Sequence, residues 1–408
     1  MLPTVTEQKN QGRVGTVSVT IYDEQYVSFS SRTERRILFM SWLIHSDDKL
    51  DALHKREVYT CTTRDNYTLT MQRCFACTEE GIIIEPIHNH PVILCHGFAS
   101  NRFTFDLNPE VSVANYLSNI GWDTWLVELR GSGLNNDIAA NKPASLVGTS
   151  DWLDDWKNTS GIGANPGEHR HDFSFSDHVE DCRAIVEHVN LITGRPVHFI
   201  GHSMGAMLLQ CIAGGESGNK GLIRSGVSIA GAVVMESSHW SYFKWLWPIV
   251  KHFGTIHPEY IQKVLAPICF SFDNPWEELF FHHNNVHAQV ASRMFSRNWE
   301  PISLALIDQL RFCLEKGGIH KQDGTQYSDS LKLIESPQLL LAGTRDEQCH
   351  PICMETVNKT IPGSVYKLIG MKSGHKNEYG HFDLIVGKNA KKEVWDMVSR
   401  FMEKNDTL

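Results

Sequence analysis

The sequence predicts an α/β protein with a mostly parallel central sheet, helices on both of its faces and an inserted helical lid. Three observations carry this prediction. Between Pro91 and Val234, short apolar strands alternate with stretches of helical period. The strands are apolar runs, as expected where both faces of a sheet are covered. The alternation stops from Glu236 to Glu335, in a segment dense in aromatics, and resumes at Pro337.

Taken in order, residues 1–57 form an N-terminal extension of mixed pattern. "TVSVTIY" alternates like an edge strand, and "ILFMSWLI" (Ile37–Ile44) is an apolar patch without clear period. The main domain begins at Val58 and runs to the C-terminus at residue 408. "VYTCTT", the turn residues "RDN" and "YTLTMQRC" read as a β-hairpin with Tyr67, Leu69 and Met71 on one face. "PVILC" is a buried strand. "SVANYLSNI" puts Val113, Tyr116, Leu117 and Ile120 on one helical stripe that stops at Gly121, and "WDTWLVEL" is again a strand. A helix from near Ser176 turns Val179, Cys182, Ile185, Val186 and Val189 inward before the strand "VHFI"; a helix from Ser203 and the strand "SGVSIAGAVV" follow. Residues 236–335, with "SSHWSYFKWLWPIV" and "NPWEELFFHHNNV", are the expected lid, by analogy with lids that close over reacting sites. "PQLLLAG" and "SVYKLIG" restore the strand rhythm, and a closing helix carries Val394, Met397, Val398 and Phe401 on one face.

Composition excludes several classes of function. With 41% hydrophobic and 21% charged residues, the 408-residue chain reads as globular. A formal net charge of -9 without a Lys/Arg stripe argues against nucleic acid as a partner. The first residues lack the basic start and apolar run of a secretory signal, so the expected location is the cytoplasm. No run is long enough for a transmembrane segment, which leaves Ile37–Ile44 as a candidate for peripheral membrane contact. The 10 cysteines then fit a reducing compartment. Cys74-x-x-Cys77 with Cys349-x-x-x-Cys353 is a weak candidate for a zinc site. His283 and His287 lack the glutamate of a zinc protease motif, so no metal site is assigned. "GIGANPG" does not follow a strand and makes no cofactor loop.

The chemical signal is Gly201-His202-Ser203-Met204-Gly205, a G-x-S-x-G pattern between a strand and a helix. Its glycines let strand and helix approach while the serine takes a strained conformation that lifts its hydroxyl to the helix N-terminus. A serine hydroxyl needs a base, and the base an orienting acid. Asp346, in the loop after "LLLAG", is the preferred acid, because its short side chain lies nearer the strand end than the rival Glu347. His381, held between Gly380 and Phe382, is preferred as base over His375, which lies among Lys376, Asn377 and Glu378. The loop His96-Gly97-Phe98 after "PVILC" offers the Phe98 N–H to pair with that of Met204 as an oxyanion hole, with His96 as scaffold.

The ordered set "TRDNYTLTMQR", "LCHGFASNRFTFDLNP", "GWDTWLVELRGSG", "FSFSDHVEDCRAIVEHV", "GHSMG" and "YGHFDLIVGKNA" resembles the α/β-hydrolase superfamily, in its acid-lipase-like branch, from about Val58 to the C-terminus except over the lid. The resemblance implies Ser203 as nucleophile, Asp346 as acid, His381 as base, and Phe98 and Met204 as oxyanion donors. It also implies a carboxylic ester as substrate, commonly an acylglycerol or sterol ester, with no cofactor. Met204 departs from the glutamine usual in that branch, and the stretch from Leu134 to Asp172 is longer than its counterparts. An acyltransferase sharing the acyl-enzyme step and a non-catalytic binder of apolar ligands are the alternatives.

Overall fold

The computed structural model describes residues 53–135, 173–214, 221–234, 275–321 and 324–407, with isolated positions between 255 and 266. Residues 1–52, most of the long stretch after Leu134, and 236–254 with most of 257–274 of the predicted lid lie outside them.

Eight strands form one sheet in the order β1-β2-β4-β3-β5-β6-β9-β10. These are β1 (His54–Thr62), β2 (Thr68–Ala76), β3 (Val92–Cys95), β4 (Thr124–Val127), β5 (Val197–His202), β6 (Ile223–Ile229), β9 (Gln338–Gly343) and β10 (Val365–Ile369). The first hairpin is antiparallel and joins β4 antiparallel, and every other neighbour is parallel. The hairpin starts at His54, so the last four residues assigned to the extension are already in the sheet. Two short strands, β7 (Thr255–Ile256) and β8 (Ile302–Ser303), pair antiparallel apart from it.

Because successive side chains on a strand face opposite ways, the sheet builds a core on each side. Ile93, Cys95, Trp125, Phe199 and Leu340 pack on one face with the helix α2 (Phe175–Thr193) and with α3 (Met204–Ala213). Val92, Leu94, Leu126, Ile200 and Leu341 pack on the other with α1 (Val113–Asn119) and the C-terminal residues. All five inward positions expected on α2 are buried. Its start is fixed where the Asp177 carboxylate accepts from the Ser174 N–H at 2.7 Å, and its end where Gly194 turns left-handed at φ 67°.

The later segment adds α4 (Pro275–Glu278), α5 (Ala288–Arg297), α6 (Leu304–Lys316), α7 (Pro351–Thr360), α8 (Asp383–Val386) and α9 (Asp396–Asn405). Phe280, Phe281, Phe295 and Trp299 of the predicted lid join the core on the second face of the sheet. Phe280 meets Phe295 and Trp299 edge-on at 5.6 and 5.1 Å, and Phe281 lies 5.8 Å from Phe382. The closing helix is preceded by a single π-helical turn, Lys391–Trp395. Val394, Val398 and Met402 are buried on the second sheet face, and the half-buried Met397 and Phe401 pack against the same core.

Candidate active site

At the carboxyl end of β5 the chain turns sharply into α3, and Ser203 occupies the corner at φ 53°, ψ −121°. A non-glycine residue at positive φ is strained unless its surroundings hold it there. The Ser203 N–H donates to the Ile229 carbonyl at 2.8 Å, and its own carbonyl begins the helix by accepting from Ala206 and Met207. The motif glycines are needed for space. A Cβ at Gly201 would stand 2.3 Å from the Gly205 oxygen, and one at Gly205 would stand 2.3 Å from the Cys95 oxygen. Gly231 is required as well, since a Cβ there would meet the Ser203 oxygen at 1.9 Å. The sequence motif does not include it, and the buried Gln210 fixes it by donating to its carbonyl at 2.8 Å.

Asp346 and His381 come together from two loops beyond β9 and β10. The His381 Nδ1–H donates to the Asp346 carboxylate, 3.0 Å from each oxygen, and both side chains are buried. One carboxylate oxygen also accepts the N–H groups of Gln348 and Cys349 at 2.9 and 2.8 Å, which fixes its orientation. Glu347, half-buried, is not the partner of the ring, so this loop pairs its aspartate with His381. His375 instead bonds within its own turn, to the backbone of Gly370. With Nδ1 donating, the His381 ring keeps Nε2 as an acceptor, and that buried nitrogen has no hydrogen-bond partner among the described residues.

His202 connects this pair to the elbow. Its ring lies 4.7 Å from that of His381, and its Nε2 donates to the His381 carbonyl at 3.1 Å. Burial, then the neighbouring His381, pushes the His202 pKa well below the usual imidazole range and keeps it neutral. This role was not legible in the sequence, where His202 fills a variable position of the motif.

The loop after β3 lies against Ser203. A Cβ on Gly97 would be 2.8 Å from the Ser203 Cβ and 3.3 Å from its Oγ. This puts the Phe98 peptide beside Ser203, while the Met204 N–H heads α3, where helical N–H groups lack intrahelical partners. His96 serves as a scaffold. Its Nδ1–H donates to the Gly97 carbonyl at 3.0 Å, and its Nε2 accepts the Leu129 N–H at 3.2 Å. Burial lowers its pKa, consistent with this neutral, accepting ring. The buried Glu128, which the sequence analysis passed over, accepts from the Arg102 side chain at 2.8 Å and from the Arg102 N–H at 3.2 Å, fixing the far end of the loop. Ala99 and Ala230 also hold positive φ, 51° and 53°, so three of the four such non-glycine residues described flank this corner.

Cys74 and Cys77 belong to the β2 end of the sheet, and Cys349 and Cys353 to the loop and helix after β9, so the sheet keeps the two pairs apart. Among the described residues no group of histidine, cysteine and carboxylate side chains forms a metal site. No described helix is long and apolar enough to cross a membrane.

A strained serine at a strand-to-helix corner, a histidine–aspartate pair beyond the later strands and this sheet order define an α/β-hydrolase-type protein. The family described as "alpha/beta hydrolase fold" matches residues 90–387, and the chain belongs to it. Similar proteins include Triacylglycerol lipase 2 of Arabidopsis thaliana, 22% identical over 38% of this chain and 32% of its own length. Lipase 1 of Drosophila melanogaster is 30% identical over 39% of this chain and 30% of its own. The matches therefore span about a third of each of these relatives. Among solved structures, a membrane phospholipase A described as a bacterial virulence factor superposes with a TM-score of 0.52 at 15% identity, covering 92% of this chain and 95% of its own. A thermophilic esterase from Thermogutta terrifontis gives 0.50 at 17% identity, covering 86% and 100%. At these identities the two structures show the shared fold.

Proposed function

We propose that this protein is a serine hydrolase of carboxylic esters, with lipid esters as its substrate class. The observation that carries the reading is the buried Asp346–His381 pair, whose outer ring nitrogen has no hydrogen-bond partner among the described residues, packed against the residue that precedes the strained Ser203. In this reading His381 Nε2 accepts the Ser203 proton as Oγ attacks the ester carbonyl carbon. The Phe98 and Met204 N–H groups hold the resulting oxyanion, each worth roughly a hundredfold or more in rate. As the tetrahedral intermediate collapses, the imidazolium returns the proton to the departing alkoxide and an acyl-enzyme remains on Ser203. Water, deprotonated by the same nitrogen, then releases the acid and regenerates the serine. Asp346 keeps the ring in the tautomer this cycle needs.

The preference for lipid esters rests on the two lipase-named relatives. It does not rest on Phe280, Phe281, Phe295 and Trp299, which are engaged in packing with one another. The test is hydrolysis of a ladder of aryl esters of increasing acyl length by the wild-type protein and Ser203→Ala. Activity that needs Ser203 and rises with chain length is expected. A short-chain optimum removes the lipid assignment. Acyl transfer to an added alcohol in preference to water makes the protein an acyltransferase, and Ser203-independent activity ends the reading.

A further inference from the structure

The segment Leu279–Glu300, which the sequence offers only as part of a lid, is bonded to the peptide groups that flank the reacting atoms. Near its start, the Leu279 carbonyl accepts from Gln348 Nε2 at 2.8 Å, two residues beyond Asp346. The Phe280 carbonyl accepts the Phe382 N–H at 2.9 Å, immediately after His381. Immediately before His381, the Gly380 N–H donates to the Asp383 carboxylate at 2.9 Å. The same carboxylate accepts the His282 N–H at 3.1 Å and lies 3.4 Å from Asn285 Nδ2. The fit is tight, since a Cβ on Gly380 would stand 2.8 Å from the His282 nitrogen.

From there α5 leads to the other reacting loop. The Arg297 carbonyl and the Glu300 carboxylate accept from Asn101 Nδ2 at 2.9 and 2.7 Å, and the Glu300 N–H donates to the Ala99 carbonyl at 3.0 Å. Ala99 follows Phe98 directly and is itself at positive φ. We infer that Leu279–Glu300 is a brace that holds the Phe98 loop in register with the Asp346 and His381 loops, and that Asp383 is the positioning residue through which it grips His381.

Two physical arguments separate this from ordinary packing. A fully buried carboxylate whose bonded donors are all neutral N–H groups is a costly way to fill space. Here its donors come from the two segments being joined. Moreover, the bonds at both ends fall on the residues adjoining His381 and Phe98, where an error in position of about 1 Å costs on the order of a hundredfold in rate.

The proposal rests on the Ser203 reading above, so the experiment tests both. Aryl ester hydrolysis is measured for wild type, Ser203→Ala, Asp383→Asn, Asn101→Ala and the Asp383→Asn/Asn101→Ala double variant, well below each melting temperature, with folding checked by circular dichroism. Each of the two brace variants is expected to lose about tenfold to a hundredfold in kcat with KM within about twofold of wild type, because position rather than substrate binding is disturbed. The double variant should lose less than the product of the two, since either cut frees the same brace. Wild-type kcat in folded Asp383→Asn, a loss confined to KM, or strictly multiplicative losses overturn the brace while leaving the Ser203 reading intact. Full activity in Ser203→Ala overturns both. If Asp383→Asn does not fold, Gln348→Ala takes its place in the cycle under the same criteria.

Discussion

Two histidine–carboxylate constellations stand at opposite ends of the same strand. At the amino end of β5, His198 Nδ1 lies 2.7 Å from Ser225 Oγ and its Nε2 lies 3.3 Å from Asp406. That is a serine, a histidine and an aspartate in hydrogen-bonded sequence. Asp406 also accepts the N–H groups of Asn89 and His90 at 2.8 and 3.0 Å, and the His90 ring nitrogens lie 3.0 and 3.2 Å from the carbonyls of Pro196 and Thr407. At the carboxyl end, His381 has Asp346 on one nitrogen and no hydrogen-bond partner among the described residues on the other. The amino-end set is saturated, its serine is itself fully buried, and burial lowers the His198 pKa. The same three residue types in contact thus occur at both ends, and the candidate site differs by an unbonded buried acceptor, a serine at strained positive φ and the N–H groups at a helix start.

The largest effect expected is on Ser203. Its change to alanine should lower kcat by roughly 10⁶-fold, whereas Ser225→Ala should leave kcat within about twofold and cost only about 1 kcal/mol of stability. Steady-state kinetics paired with denaturant unfolding separates these outcomes, and comparable losses of activity would break the contrast. Next, Asp346→Asn should lower kcat by about 10⁴-fold through the wrong imidazole tautomer, with Glu347→Gln near wild type. The reverse order would move the acid to Glu347. Gly97→Ala forces a methyl group against Ser203 and should cost on the order of a hundredfold in kcat, with a modest change in melting temperature.

The smallest effects concern pH, and they have opposite signs at two buried carboxylates. Burial raises the Asp406 pKa, but hydrogen bonds from His198 and Asn89 outweigh it and hold the group below its usual 3.8. Its stabilising contribution is therefore present above that value and fades as pH falls through the folded pKa. Burial pushes Asp383 up from 3.8 to about 7 against the bonds it accepts. Its contribution instead declines as pH rises from 3.8 towards 7, because the unfolded chain gives up that proton first. Stability measured across this range should lose part of its acid limb in Asp406→Asn, and should lose the decline towards neutrality in Asp383→Asn. Matching slopes in the two variants would contradict this account.

Much of the site was legible because its chemistry is written in local motifs. The G-x-S-x-G turn demands small residues at fixed spacing, and Asp346 and His381 each follow a recognisable apolar strand. His202, Gly231, Glu128 and Asp383 were not legible. Each acts through a partner distant in the chain, as Asp383 does on His282. The packing of Phe280, Phe281, Phe295 and Trp299 on one another was not legible either, since an apolar side chain facing a substrate and one facing another loop look alike in sequence.

By itself, then, the sequence determined the alternation of strands and helices, the two-faced burial of the sheet and the candidate reacting residues. These follow from side-chain period, turn chemistry and short motifs, which are local properties of a chain. Tertiary structure alone decided which carboxylate meets which imidazole, and that Leu279–Glu300 bonds at once to the loop after Phe98 and to the residues around His381. Those outcomes depend on contacts closed across long stretches of chain, where hydrogen bonds and excluded volume select a single arrangement among many that the same local pattern would allow.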